Sequence, residues 1–188
     1  MINELLLQSL TTFYTKESHG NSLNGILNNQ NKISLRLIDW FTTNYSKKHN
    51  IIYLIYSDTY GNTTLNENND IVNQFNVYNS YKSQLKAYSK KQFDPFCRRE
   101  RIEFKCGDNI LNTTIGQLNF FKWIIKNNIM EYIQTNISSI EDDMNYSLKD
   151  VKQKYIKKQN LRKPRQELSK SAIRGLNKIP MKISISFN

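Results

Sequence analysis

Glycine and cysteine are scarce in this chain, and so are apolar runs. Six glycines occur in 188 residues. None follows the spacing of a phosphate-cradling loop, which removes the common nucleotide-binding fingerprints. Two cysteines, Cys97 and Cys106, are too few for a disulfide scaffold. They lack the close pairing of zinc ligands, and His19 and His49 lie far from them in sequence. No cofactor or metal is therefore expected. No apolar run approaches the roughly 18 residues that suggest a membrane span. Met1 to Leu10 lacks the cationic start and long apolar stretch of a signal peptide. The expectation is an intracellular, reduced protein without membrane contact. Asn-x-Ser/Thr triplets at Asn62, Asn112 and Asn145 then follow from abundant asparagine rather than from glycosylation.

Positive charge is what the chain has in excess. The net charge is +11, from 27 Lys and Arg against 16 Asp and Glu. Its placement is uneven. Residues 149–188 hold twelve cations and two acids, Asp150 and Glu167, whereas residues 1–148 hold fifteen and fourteen. A near-neutral body thus carries a basic end, a pattern common in segments that contact phosphates. The 25 Asn, 22 Ile and 20 Lys, against 7 Arg, fit an AT-rich genome. The few arginines cluster, as Arg98, Arg99 and Arg101, and as Arg162, Arg165 and Arg174. Such clusters suggest places where a planar fork matters more than charge alone.

The periodicities predict an α+β fold, with a small mixed sheet packed with several helices and a basic C-terminal segment ending in a strand. Residues 1–31 read as an N-terminal helix and an Asn-rich linker, with loop over 20–31. Residues 32–148 read as the core domain, and 149–188 as a basic helix or arm. Helices are expected over 33–48 and 77–91. A strand buried on both sides is expected over 51–56, followed by a polar loop over 57–70. Residues 102–106 alternate and should form a hairpin with the strand beginning at Ile110. Thr114-x-x-Gln117 fits a capping box opening a central helix over 114–135, and Ser147-x-x-Asp150 suggests a cap for a helix to about Asn160. Met181, Ile183, Ile185 and Phe187 alternate like a half-buried strand.

The stretch Phe93-Asp94-Pro95-Phe96-Cys97-Arg98-Arg99-Glu100-Arg101-Ile102 is followed by Thr113-Thr114-Ile115-Gly116-Gln117-Leu118-Asn119-Phe120-Phe121-Lys122-Trp123. With Ser34 to Phe41 and Glu167 to Ser171, these motifs resemble an uncharacterised protein family of nucleocytoplasmic large DNA viruses, of the mimivirus and phycodnavirus kind. The resemblance spans most of residues 33–187. It implies a viral protein in an infected cell, in the cytoplasm, viral factory or nucleus, or packaged in the virion. It brings no functional residue with it.

Two segments carry candidate nucleic-acid contacts. The first is Lys157, Lys158, Arg162, Lys163, Arg165, Lys170 and Arg174, whose density suits salt-dependent phosphate binding. A solvated basic arm is the plainer alternative. The second is Lys82, Lys86 and Lys90, spaced to form a helical stripe, with Lys91, Arg98, Arg99 and Arg101 following. Tyr78, Tyr81 and Tyr88 interleave and could stack bases, or simply form the core face of the helix. One of the three arginines could read guanine or clamp a phosphate, or Arg98 or Arg101 could pair with Asp94, Glu100 or Glu103. Asp94 with Glu103-x-Lys105 loosely fits a metal-dependent nuclease, but exposed charges on a strand are the commoner outcome. Glu141-Asp142-Asp143 could recruit Mg²⁺, though adjacent acids do not share a helix face.

The expectation is therefore non-enzymatic binding of DNA or RNA in transcription, replication or genome packaging, with no catalytic residue. The alternatives are a minor capsid-associated protein with viral protein partners, and a nuclease.

Overall fold

The computed structural model describes residues 2–28, 33–57, 63–65, 70–106 and 109–160. The chain divides into two compact units, Met1–Leu148 and Lys149–Asn188. The second unit is described only over 149–160, the last part of a helix. The strand expected over 181–187 lies outside the described residues.

The first unit opens with α1 (Ile2–Tyr14) and α2 (Glu17–Leu27). Leu6, Leu10 and Tyr14, four residues apart, form the buried stripe of α1. Residues 20–31 are not all loop as expected, because α2 runs to Leu27. Its glycines Gly20 and Gly25 are buried, and Gly20 serves close packing. A Cβ on Gly20 would lie 2.7 Å from Cys106 Sγ.

The helix expected over 33–48 is present in three consecutive pieces, α3 (Leu35–Trp40), a π-helical turn (Phe41–Tyr45) and α4 (Ser46–Lys48). Ser34 caps it, accepting from the Leu37 N–H at 3.2 Å. In the π turn, hydroxyls supply extra donors to the backbone. Thr42 and Thr43 both donate to the Asp39 carbonyl, at 3.1 and 2.7 Å.

β1 (Ile52–Ser57) lies between β2 (Thr63–Thr64) and β3 (Asp70–Asn76) in an antiparallel sheet, with Tyr53 opposite Phe75. β1 is not buried on both sides. Ile55 and Tyr56 are buried, whereas Ile52 and Leu54 are 44% and 38% exposed. β3 extends beyond the polar loop that the sequence suggested. Asn76 then caps α5 (Val77–Ala87), accepting from the Asn79 N–H at 2.9 Å. The expected hairpin forms from β4 (Ile102–Cys106) and β5 (Asn109–Thr113), with Phe104 opposite Leu111.

α6 (Ile115–Lys126) is the centre of the core, burying Leu118, Phe120, Phe121, Trp123 and Ile124. α1 and α2 both pack on it, and the Tyr14 hydroxyl donates to the Leu118 carbonyl at 2.8 Å. The single helix expected over 114–135 is two. Asn128, at φ 52°, breaks the path before α7 (Ile129–Thr135). Asparagine tolerates this left-handed conformation better than most residues. α8 (Ile137–Asn160) begins well before Ser147, which is therefore inside the helix and not its cap. The α+β reading holds, but among the described residues the strands form two small antiparallel sheets and not the single mixed sheet expected.

Candidate nucleic-acid interface

The chain between α5 and β4 forms a strap across the first turn of α6. α5 ends at Ala87, because Tyr88 is extended at φ −119°, ψ 139°. The expected stripe of three lysines is therefore broken. Lys82 and Lys86 lie exposed on the helix, while Lys90 and Lys91 lie exposed in the turn closed by Gln92 N–H to Ser89 O at 2.8 Å.

Side chains of α6 fix the strap. Asn119 Nδ2 donates to the Gln92 carbonyl at 2.9 Å, and Gln117 Nε2 donates to the Pro95 carbonyl at 2.9 Å. The Asp94 N–H donates to the Gly116 carbonyl at 3.2 Å. Only half of the expected capping box forms. Thr114 Oγ1 accepts from the Gln117 N–H at 3.1 Å, but the Gln117 amide turns to Pro95 and accepts from Thr113 Oγ1 at 2.8 Å. Phe93 anchors the strap below, packing on Phe120, Trp123 and Tyr81 with centroids 5.1, 5.7 and 6.0 Å away.

The three arginines of the strap do different things. Arg98 forks onto the buried carboxylate of Asp94, with Nε to Oδ2 at 3.0 Å and a second nitrogen to Oδ1 at 2.7 Å. It also lies over the Phe96 ring, 4.8 Å from the centroid. The hydrogen bonds and charge of Asp94 raise the Arg98 pKa above its usual value. Burial raises the pKa of nearby Asp39, with the Arg98 charge opposing that rise and the Asp94 charge adding to it. Of the two readings of Arg98, the structural ion pair is the one formed.

Arg99 and Arg101 are exposed. Arg99 and Lys91 line one cavity of about 410 Å³, with Ser89, Gln92 and the first turn of α6 at Thr114 to Gly116. That turn presents its helix N-terminus, an end that favours anions. Glu100 also lines the cavity and lowers its positive charge.

The tyrosines offered as stacking platforms are half-buried and largely used in packing. Tyr81 lies against Phe93 and Trp123, and Tyr88 stacks on Phe93 at 6.5 Å. Tyr78 receives Lys47 at 5.7 Å. Of the nuclease candidates, Asp94 is held by Arg98, and Glu103 and Lys105 lie on the exposed face of β4. Among the described residues, no three His, Cys, Asp or Glu side chains are grouped to hold a metal.

Asp143 has a different role from the metal binding considered for it. It accepts from Trp40 Nε1 at 3.1 Å, pairs with Lys48, and has His49 Nε2 at 3.7 Å. Partial burial pushes its pKa up. The bonds from Lys48 and Trp40 outweigh that and hold it below the ordinary value. Lys157 and Lys158 lie in α8, but their side chains are outside the described set. Arg162, Lys163, Arg165, Lys170 and Arg174 lie outside the described residues altogether.

The sequence reading missed a second cation group. Lys16, Lys122 and Lys126 line a cavity of about 650 Å³ between α1–α2 and α6–α7. The four-residue spacing of Lys122 and Lys126 was visible. Lys16 is over a hundred positions away and gave no signal.

Among the described residues, no helix is long and apolar enough to cross a membrane. No solved structure matches the chain. A protein of Acanthamoeba polyphaga mimivirus, described as uncharacterized protein L507, is 41% identical over 152 residues, covering 78% of this chain and 52% of the relative. The chain thus spans about half the length of the curated relative it matches. Residues 2–188 match a family described as one of unknown function (DUF7197). The likeness to large-DNA-virus proteins seen in the motifs of residues 34–41, 93–102, 113–123 and 167–171 is upheld, and the chain belongs to this viral family.

Proposed function

We propose that this protein binds nucleic acid without catalysing a reaction, during transcription, replication or genome packaging in a large DNA virus. The observation that carries this reading is the charge distribution. Residues 149–188 hold twelve of the 27 cations and two of the 16 acids. Clustered Lys and Arg release counterions from phosphate, which gives affinity that falls steeply with salt. α5 and the strap offer a second contact, because Lys82 and Lys86 on the helix and Lys90, Lys91, Arg99 and Arg101 on the strap are all exposed. The fixed backbone of the strap would present Lys91 and Arg99 without a large ordering cost. The working place under this reading is the cytoplasm, viral factory or nucleus of the infected cell, or the packaged genome.

The test is fluorescence anisotropy with duplex and single-stranded oligonucleotides across a salt series. A variant with Lys157, Lys158, Arg162, Lys163 and Arg165 changed to Gln should lose slope, by about 0.9 for each duplex phosphate contact removed. Absence of binding at low salt would end this reading. A role as a minor capsid-associated protein is favoured by one observation, the exposure of Ile52 and Leu54 on the same face of β1. Co-sedimentation with viral structural proteins instead of oligonucleotides would support it.

A further inference from the structure

The cavity between α1–α2 and α6–α7 joins two kinds of wall. One wall is cationic. Lys122 and Lys126 stand one turn apart on α6, and Lys16 comes from the turn between α1 and α2. Glu131 also lines the cavity and lowers its positive charge, with its carboxylate accepting from Asn128 Nδ2 at 3.2 Å and from the Leu65 N–H at 3.4 Å. Lys122 Nζ donates to Ser9 Oγ at 2.9 Å and sits 5.5 Å from the Phe13 centroid. The ammonium also reaches the Ser9 carbonyl at 3.5 Å, so α1 positions it at the cavity through Ser9 and Phe13. The other wall is apolar, formed by the half-buried Ile125 and Met130, with Ile26 and Ile124 buried behind them.

His19 stands at the same cavity with its ring stacked on Phe13, centroids 4.1 Å apart and planes 10° apart. Its Nδ1 is 3.0 Å from the Phe13 carbonyl. A carbonyl only accepts, so Nδ1 carries the proton there, and in the neutral ring Nε2 is left as an acceptor. The volume, about 650 Å³, falls in the range of small-molecule sites, which combine apolar lining with a few placed polar groups. Lysines lining one cavity favour an anion. The apolar surface of Ile125 and Met130 beside them favours a body that a bare phosphate does not have.

We propose that this cavity binds a nucleoside phosphate, with the phosphates held by Lys122 and Lys126 and the base laid on the apolar wall near His19. The site is separate from the strap and does not depend on polymer binding.

The experiment is calorimetric titration of the full chain with ATP, adenosine and inorganic triphosphate at 150 mM salt, on three proteins. These are the natural sequence, Lys122→Gln/Lys126→Gln, and the variant with five cations of the basic segment changed to Gln. ATP should bind at least tenfold more tightly than adenosine or triphosphate. The α6 variant should weaken ATP at least tenfold, and the basic-segment variant should leave it unchanged. If the double variant does not melt like the natural protein, Lys126→Gln alone takes its place, since Lys126 is exposed. Photolabelling with 8-azido-ATP should mark peptides within 13–26 and 122–134. Equal affinity for triphosphate and ATP, loss of ATP binding in the basic-segment variant, unchanged binding in the α6 variant, or labelling confined to other peptides would each overturn the proposal.

Discussion

Replacing Gly116 by alanine would place a Cβ 2.7 Å from the Lys91 carbonyl oxygen and 3.4 Å from the carbonyl carbon of Gln92. Both neighbours are backbone, so neither can swing away as a side chain would. Two effects oppose each other. Alanine in place of a helical glycine is worth up to about 1 kcal/mol. Overpacking costs about 1–3 kcal/mol, and lifting the strap weakens the bonds at Gln92, Asp94 and Pro95, each worth about 1 kcal/mol. The net expectation is a loss of about 1–2 kcal/mol. At about 2–4 °C per kcal/mol for a domain of this size, the midpoint should fall by about 2–8 °C. Thermal unfolding followed by circular dichroism, with urea melts in parallel, reads this directly. Oligonucleotide affinity should fall as well, because Lys91 and Arg99 lie on the displaced segment. A variant as stable as the natural protein, or more so, would refute the close approach of strap and helix.

Three further outcomes are expected. Arg98→Ala should destabilise the fold by about 1–2 kcal/mol, a figure reduced for the exposure of the arginine, while leaving oligonucleotide affinity at low salt nearly unchanged; Arg99→Ala should do the reverse, in urea melts and anisotropy titrations. Asp143→Asn should cost about 1 kcal/mol at pH 7. Because the folded carboxyl titrates below its ordinary value, its contribution is present above the unfolded pKa, about 4, and is lost as pH falls through the folded pKa, so the difference between variant and natural protein should shrink in acid. Burial is the main cause that raises the hydroxyl pKa values of Tyr14 and Tyr53, helped by Cys106 for the former and by Tyr132 and then Glu131 for the latter. The stability this represents is whole below the unfolded tyrosine pKa, about 10, and should decline above it by about 1.4 kcal/mol per pH unit for each residue; urea melts between pH 8 and 11 should show that slope flattened in Tyr14→Phe/Tyr53→Phe.

Strong periodicity was legible, and it located the central parts of the fold. The alternation of Ile102, Phe104 and Cys106 gave β4, and the two apolar faces of Leu118 to Trp123 gave the buried helix. Composition misled where tertiary packing overrides propensity. Gly20 and Gly25 looked like loop punctuation but sit inside a helix, with Gly20 held against Cys106. In β3 the apolar Ile71, Val72 and Phe75 do not alternate with polar residues, and the strand is formed by pairing with β1. The break at Asn128 is a matter of one residue's φ, which an apolar period running through it conceals. The same limit applies to the candidate sites. Adjacent cations such as Arg98 and Arg99 stand out in a sequence, yet their different roles depend on whether Asp94 is within reach. Lys16, Lys122 and Lys126 become neighbours only through the packing of α1 and α2 on α6.

The strap also limits how the chain can change in length. Its carbonyls at Gln92 and Pro95 are met by the side-chain amides of Asn119 and Gln117, two positions apart on a helix whose rise is fixed. Deleting or adding a residue between Gln92 and Pro95 would move one carbonyl past its donor and leave a polar group without its bond. A length change in that stretch should therefore be tolerated far less readily than the same change in an exposed turn, and relatives should keep the same residue count between these two anchors even where the side chains around them differ.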